Sequence, residues 1–470
     1  MKGTDSGELS KRTLLLYALP AAGMTAMHWL VLIFLLKYST DVVGLAPVLV
    51  GSIFAASRMW DAVSDPLVGW MSDRTHSRWG RRRPWLIASA LPVALCFCGL
   101  WSTPAGASPV QAAIWLAVAL FLFYSASTAS RIPYLALGAE LTGNHHERTR
   151  LSAVRVGSEI VGIFTALAGL HWIENATSVR EVAGITAGLV AVAAAGSLVY
   201  AGLRLPEPTT NQGRGAAHPG KALRDVLRNP HARRLTAALF LAEVGLGALL
   251  VAVPFVTEMM GRPGTSAVTM LAFMLPFAAA VPLWIPVTRR FGKGRCFTVA
   301  TGMCATSFIL LGLGAWQSDL LYLVSMTLIG ISQAAMRTLP ESIKADVIDW
   351  DEARTGERKE GTYFAAWNLA DKAAGAMSVA LVGFVIQGAD GGVSADGIRL
   401  ATSYVPAGLL LLSTAVMLGF RLGAREHGEI HSRIQARRSG RGAAEPQAAE
   451  RTDWPQEASA LDVEGVSAAF

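Results

Sequence analysis

Charge is what this sequence has least of. Asp, Glu, Lys and Arg together make up 16% of its 470 residues, against about 25% in soluble domains. Hydrophobic residues make up 52%, and mean hydropathy is +0.40. A soluble chain of this length would lack the polar side chains to cover itself, which excludes an ordinary cytosolic enzyme, a disordered chain and a coiled coil. Cysteine is also scarce. Cys96, Cys98, Cys296 and Cys304 lie in or beside apolar runs, with no second Cys or His pair near Cys96-Phe-Cys98. That excludes a disulfide framework and a metal-ligand pattern. No phosphate-binding loop, metal motif or nucleophile elbow is present, so enzyme chemistry and a cofactor are not expected. A cleaved signal peptide is not expected either, because Met1 to Arg12 is polar and the apolar run after it is too long.

Long apolar runs are what the sequence has instead. A bilayer core needs about 20 apolar residues per helix. Twelve runs qualify, at 13–37, 47–72, 84–102, 109–140, 152–172, 182–203, 234–258, 265–288, 297–316, 319–345, 361–387 and 402–422. The longest polar interruption follows the sixth run and holds Pro206, Pro208, Gly213, Gly215, Pro219, Gly220 and Pro230. The fold expected is an all-α membrane protein of twelve transmembrane helices in two pseudo-symmetric six-helix bundles, 13–203 and 234–422. A polar N-terminus (1–12), a linker (204–233) and a disordered tail (423–470) complete it. Related segments recur in the two halves: Arg131-Ile-Pro133 in span four and Arg337-Thr-Leu-Pro340 in span ten. Such repetition accompanies a binding site between halves in transporters.

Lys and Arg cluster in alternate loops. Arg74, Arg78, Arg81, Arg82 and Arg83 follow span two, Arg148 and Arg150 span four, and Arg289, Arg290, Lys293 and Arg295 span eight. The positive-inside rule then puts both termini and the linker in the cytoplasm. It also explains the net charge of +7, so nucleic-acid binding gains no support. The Ala/Gly-rich composition points to a bacterial inner membrane, and no glycan is expected at Asn175-Ala-Thr177. A monomer is expected.

Charges inside the spans are costly and mark function. Asp61 and Asp65 share one face of span two, about 6 Å apart along the axis. Both stay ionised only with a cation between them; otherwise one takes a proton. The pair is read as a Na⁺ or H⁺ site, and the alternative is a structural pair with Arg58 or another buried cation. In span four, Thr128 and Arg131 lie on one face, and Arg131 is read as an anion or substrate contact. Span ten carries Gln333, Arg337, Glu341 and Lys344, with Arg337–Glu341 as the expected internal pair. Span eleven carries Asp371 and Lys372. His28, one turn after Thr25, is either a helix contact or a ligand. Glu243 is read as structural, near the cytoplasmic end of span seven. Gly69, Asp73, Arg74, Arg81 and Arg82 are read as a breakable latch between bundles. Arg131 and Arg337 are expected to face each other across a central cavity and hold an anionic group. Without solute, Glu341 would neutralise Arg337, and Asp61 or Asp65 would neutralise Arg131.

Several stretches carry a resemblance. They are Tyr38-Ser-Thr-Asp-Val-Val-Gly44, Arg58-Met-Trp-Asp61-Ala-Val-Ser-Asp65-Pro66, Asp73-Arg74 through Pro84-Trp85, and Ile132-Pro133-Tyr134. Glu147-Arg148-Thr149, Arg155, Ala345-Asp346-Val-Ile-Asp349-Trp350 and Lys372 complete the series. Together they resemble the glycoside–pentoside–hexuronide:cation symporter family of the major facilitator superfamily (MFS), typified by the melibiose permease and more distantly including lysolipid symporters. The resemblance implies that Asp61, Asp65 and Thr128 bind the coupling cation, Na⁺ or H⁺. Ser64 replaces an asparagine that favours Na⁺. It implies that Lys372 lies near cation and substrate and Arg155 near the sugar pocket. Thr25 and Arg131 stand where the sugar permease has carboxylates, and Arg337 where it has a tryptophan. His28 and Trp367 complete the expected substrate-facing set. The function expected is cation-coupled symport of a small organic solute, a sugar, glycoside or anionic sugar derivative. The alternatives are a proton-driven transporter of an amphipathic, lysolipid-like metabolite, and a receptor or assembly factor that no longer transports.

Overall fold

The computed structural model describes residues 9–142, 145–207, 228–315, 318–355, 360–389 and 391–420. The expected tail, most of the linker and residues 1–8 lie outside these. The described chain is helix and short loop, with one isolated bridge between Gln387 and Val393. Helices α1 to α6 are Lys11–Lys37 (continued by a π-turn, Tyr38–Val42), Pro47–Asp73, Arg83–Leu100, Pro109–Glu140, His145–Glu174 and Val179–Arg204. Helices α7 to α11 are Pro230–Met259, Ser266–Phe291, Lys293–Leu310, Asp319–Thr355 and Glu360–Ile386. Helix α12 joins Ala395–Arg399, a π-turn Leu400–Tyr404 and Val405–Leu418.

Helices are the required solution here, because backbone N–H and C=O groups in lipid must be satisfied within the segment. The ends are set locally. Ser10 and Ser108 accept hydrogen bonds from Thr13 N and Gln111 N, and Asn229 Oδ1 accepts from His231 N and Ala232 N. Proline occupies the first turn of α2, α3, α4 and α7, where its missing N–H costs nothing. Two expected boundaries move. Span ten, expected to stop at 345, runs on to Thr355 as α10. Its last turns carry Asp346, Asp349, Asp351 and Glu352, so hydropathy ends there but helical hydrogen bonding does not. Span twelve begins at Ala395, not 402.

Among the described residues, eleven segments are long and apolar enough to cross a membrane. The twelfth helix, α2, falls short on composition because it carries Arg58, Asp61, Asp65 and Asp73. Its charged groups must therefore face protein.

Helices α1 to α6 pack among themselves, α1 on α5 and α6, α3 on α4 and α6, and α2 on α4. In the second set α7 packs on α11 and α12, α8 on α10, and α9 on α10 and α12. The sets meet mainly where α2 lies along α11 and α1 along α7. Among the described residues, several polar links between the sets gather at the end opposite the arginine-rich loops. Lys37 pairs with Asp41 and with Glu258. Val48 N donates to Gln387 Oε1 at 3.1 Å, and Asn175 Nδ2 to Gly264 O at 3.0 Å. Glu174 accepts from Ser266. Gly51 and Gly383 let α2 and α11 touch there: a Cβ on Gly383 would lie 2.5 Å from Pro47 O and 3.0 Å from Gly51 Cα. The molecule is thus closed at its far end.

Gly383→Val should force α2 and α11 apart, at the roughly 1–3 kcal/mol typical of overpacking. The rate of disulfide formation in a Val48→Cys/Gln387→Cys pair should fall about tenfold or more. An unchanged rate would show that this glycine contact does not hold the far end shut.

Candidate functional site

Two clusters of ionisable side chains lie at mid-depth, one in each set of helices. The first is built on α2. Asp61, only 5% exposed, and Asp65 one turn later point toward α4 and α11. Thr128 Oγ1 on α4 lies 2.6 Å from Asp61 Oδ1 and 3.1 Å from Asp65 Oδ1. Its single proton serves one of them at a time. Lys372 reaches over from α11. Its Nζ is 2.8 Å from Asp61 Oδ2, is paired with Asp65, and is 3.1 Å from the Asp61 carbonyl. Ser64 Oγ donates to the Asp61 carbonyl at 3.2 Å and lies 3.4 Å from Thr128 Oγ1. Arg58, one turn before Asp61, stacks on the Tyr124 ring at 5.2 Å, and its Nε is buried without an acceptor. Two carboxylates are thus offset by two cations, one from each set of helices.

The sequence reading left a coupling cation, a proton or a pair with another buried cation open for Asp61 and Asp65; in this structure both carboxylates pair with a buried cation, the Lys372 ammonium. It was also expected that one of these carboxylates would neutralise Arg131. That expectation is corrected: both are taken by Lys372. Arg131 is exposed and, among the described residues, takes part in no hydrogen bond or ion pair.

The second cluster lines a cavity of about 240 Å³ between α7, α9, α10 and α11. Arg337 meets Glu243 through both guanidinium nitrogens, Nη1 to Oε1 at 2.6 Å and Nη2 to Oε2 at 3.2 Å. This is the planar fork-to-fork pairing that lysine cannot make. Lys344 Nζ is 2.7 Å from Glu341 Oε1. Gln333, Trp367 and Asp371 line the same cavity, and Trp367 Nε1 donates to Thr236 Oγ1 at 2.9 Å. Two further readings are corrected here. Arg337 pairs across helices with Glu243, not with Glu341. Glu243 sits midway along α7, on the cavity wall, not near a helix end.

The other expected residues lie apart from this cavity. Thr25 packs on α5, where a Cβ on Gly162 would meet its Cβ at 2.9 Å. His28 Nδ1 contacts Met24 O at 3.0 Å, with its ring beside Phe123 and Tyr124. Arg155 pairs with Glu159 one turn along α5. Arg131 and Arg155 do not line the cavity that Arg337 lines.

At the arginine-rich end, Arg82 is buried and pairs with Asp73, Ser72 and Glu140, while Arg81 Nη2 is 2.7 Å from Glu140 Oε1. Glu207, just after α6, accepts from the backbone N–H groups of Arg81, Arg82 and Arg83 at 2.7–3.2 Å. It thereby caps the positive N-terminus of α3. Arg74 instead stacks on Trp70 of its own helix at 4.2 Å, and Gly69 faces Ile132 of α4. In this conformation these residues form no latch between bundles: every partner named here belongs to the first six helices and the segment after them. Sequence reading missed Glu140 and Glu207. An acid ending span four opposite five arginines was the available signal for the first, and nothing local signalled the second.

A family model described as MFS/sugar transport protein matches residues 16–424. The chain is 23% identical to an uncharacterized symporter, sll1374, of Synechocystis, covering 86% of this chain and 93% of that one. It is 24% identical to a glucuronide carrier protein homolog of Escherichia coli, covering 92% and 97%. It is 26% identical to the sodium-dependent lysophosphatidylcholine symporter 1 of Mus musculus, covering 67% and 66%. Its fold is similar to the crystal structure of nucleoside transporter NupG, with a TM-score of 0.67 at 12% identity over 87% of this chain and all of that one. The family match runs from the first helix to the last, so the chain belongs to the MFS/sugar transport protein family and is a membrane-embedded secondary transporter of a small organic solute.

Proposed function

We propose that this chain couples symport of a neutral, hydroxylated solute, a sugar or glycoside, to Na⁺ or H⁺. The cation binds at Asp61, Asp65 and Thr128, with Ser64 behind them. This is the arrangement of the glycoside–pentoside–hexuronide:cation symporters that the motifs resemble. One observation carries the reading: the Lys372 ammonium, from the second set of helices, lies between two carboxylates of the first. A Na⁺ or H⁺ arriving there competes with that ammonium for the same oxygens. Its binding frees Lys372 and breaks the mid-depth tie between α2 and α11, so cation occupancy is linked to the relative position of the two halves. The halves that rock are residues 13–203 and 234–422, joined by the linker 204–233.

The solute is received on the second-half cavity, with Trp367 as its aromatic wall. Arg337 is engaged through both of its paired nitrogens by Glu243, so an anionic solute would have to displace Glu243. A clamp of Arg131 and Arg337 on an anion loses its support. A second reading, an amphipathic solute, is favoured by the apolar lining from Leu239, Phe240, Leu246, Phe297 and Met336. The positive-inside rule supports a cytoplasmic arginine-rich end and cytoplasmic termini, and the Ala/Gly-rich composition supports a bacterial inner membrane. The far-end contacts then describe a state closed to the outside.

Counterflow in vesicles with a panel of sugars, glycosides, uronides and lysolipids, with and without Na⁺ and across pH, tests the reading. A neutral sugar or glycoside should exchange in a cation-dependent way; exchange of uronides or lysolipids alone would reject the neutral-solute assignment. Asp65→Asn should abolish uphill accumulation while sparing exchange, and normal accumulation in the Asp61→Asn/Asp65→Asn variant would remove the cation site. Lys372→Gln takes away the competing ammonium. The cation concentration giving half-maximal exchange should fall about tenfold or more, and net uptake should drop because release is slowed. A rise in that concentration would contradict the competition.

A further inference from the structure

The second cluster holds a charge that nothing in it balances. Arg337 is matched by Glu243, and Lys344 by Glu341. Asp371 is left over, and its carboxyl group is in hydrogen-bonding contact with that of Glu243. The charged side chains lining the cavity come from α7, α10 and α11: Glu243, Arg337, Glu341, Lys344 and Asp371. Helices α1, α8 and α12 also pack on α7, yet among the described residues they contribute none to the lining. With all five groups ionised, three negative charges face two positive ones. Two carboxylates in contact repel, and a proton held between them replaces the repulsion with a hydrogen bond.

An independent observation points the same way. Gln333 lies one turn before Arg337 on α10, lines the same cavity and is 5% exposed. Its Oε1 is buried with no hydrogen-bond donor among the described residues. Arg337 and Lys344 are engaged by Glu243 and Glu341. A buried amide oxygen without a donor thus stands in the same cavity as the surplus carboxylate, and uptake of a proton removes that surplus charge.

We propose that Glu243 and Asp371 form a second cation site that takes up one proton from solution and shares it between two carboxyl groups. Glu243 keeps both oxygens on Arg337, so the new O–H bond is on Asp371 and donates to Glu243. Asp371 directly precedes Lys372, and neighbours on a helix point about 100° apart. Lys372 therefore reaches the first-half carboxylates while Asp371 reaches Glu243. Helix α11 carries one member of each site, so moving it perturbs both. This inference stands whether or not Asp61 and Asp65 hold the coupling cation.

Infrared difference spectroscopy of the full chain in lipid nanodiscs, titrated with acid and with no solute added, tests it directly. The carbonyl stretch of a protonated carboxylic acid should appear in the wild type and persist in Asp61→Asn/Asp65→Asn. It should be lost in Glu243→Gln and in Asp371→Asn, each checked for monodispersity by size exclusion. Asp371→Glu should retain the band at a displaced frequency, which separates loss of the acid from loss of the fold. If the band survives both Glu243→Gln and Asp371→Asn, the shared proton does not exist. If it disappears only in Asp61→Asn/Asp65→Asn, the proton belongs to the first-half pair and the second site is refuted.

Discussion

A single ammonium group ties the two halves of this molecule together at mid-depth. Lys372 hangs from α11 and lies between Asp61 and Asp65 of α2. Desolvating two carboxylates in one helix is expensive, and only close opposite charge with good hydrogen bonds makes it tolerable. The helix that carries them is the one whose composition falls short of a membrane span. It is sheltered because α4 covers one side with Thr128 and α11 covers another with Lys372. The α2–α11 contact is therefore a requirement of electrostatics as much as of packing. The same pair of helices closes the far end through Gly51 and Gly383. One pair thus serves two purposes, polar in the middle and close-packed at the end.

The second half solves a similar problem with different chemistry. Its charges are matched by an Arg–Glu fork and a Lys–Glu pair, and they border open volume instead of filling it. The first-half carboxylates have no such space described around them, since a lysine already fills the gap. This asymmetry separates a cluster filled by a side-chain ammonium from one that borders open volume. It also bears on the count of missing and added charges along the chain. Thr25 and Arg131 replace carboxylates of the sugar permease, which suggested an anionic solute. The carboxylates Glu243 and Asp371 appear in the other half, where that comparison did not look.

Much of the fold was legible without coordinates, because the bilayer imposes rules that act on composition alone. Run length gave the number of spans, and charge within spans singled out α2, α10 and α11. Helical periodicity placed Asp61 and Asp65 on one face. The boundaries that failed, at α10 and α12, failed because hydropathy reports the thickness of the hydrocarbon while helical hydrogen bonding continues into water. Partner choice was not legible. Arg337 is nearer in sequence to Glu341 than to Glu243, yet it pairs with Glu243, because packing of α7 against α10 and α11 brings that carboxylate to the guanidinium plane. Glu207 caps α3 across more than a hundred residues of chain, a relation no local pattern encodes.

The sequence by itself determined that the chain is a bundle of membrane helices and that charged groups sit at mid-depth on particular faces. Those properties follow from length, periodicity and the cost of exposing polar backbone to lipid. Only the tertiary structure decided which charge neutralises which, because a buried ion is held by whichever opposite charge packing brings within a few ångströms, wherever it lies along the chain. That is why the two carboxylates of α2 announced a cation, while its identity in this state, the ammonium of a lysine more than three hundred residues away, emerged only from the packing of α11 on α2.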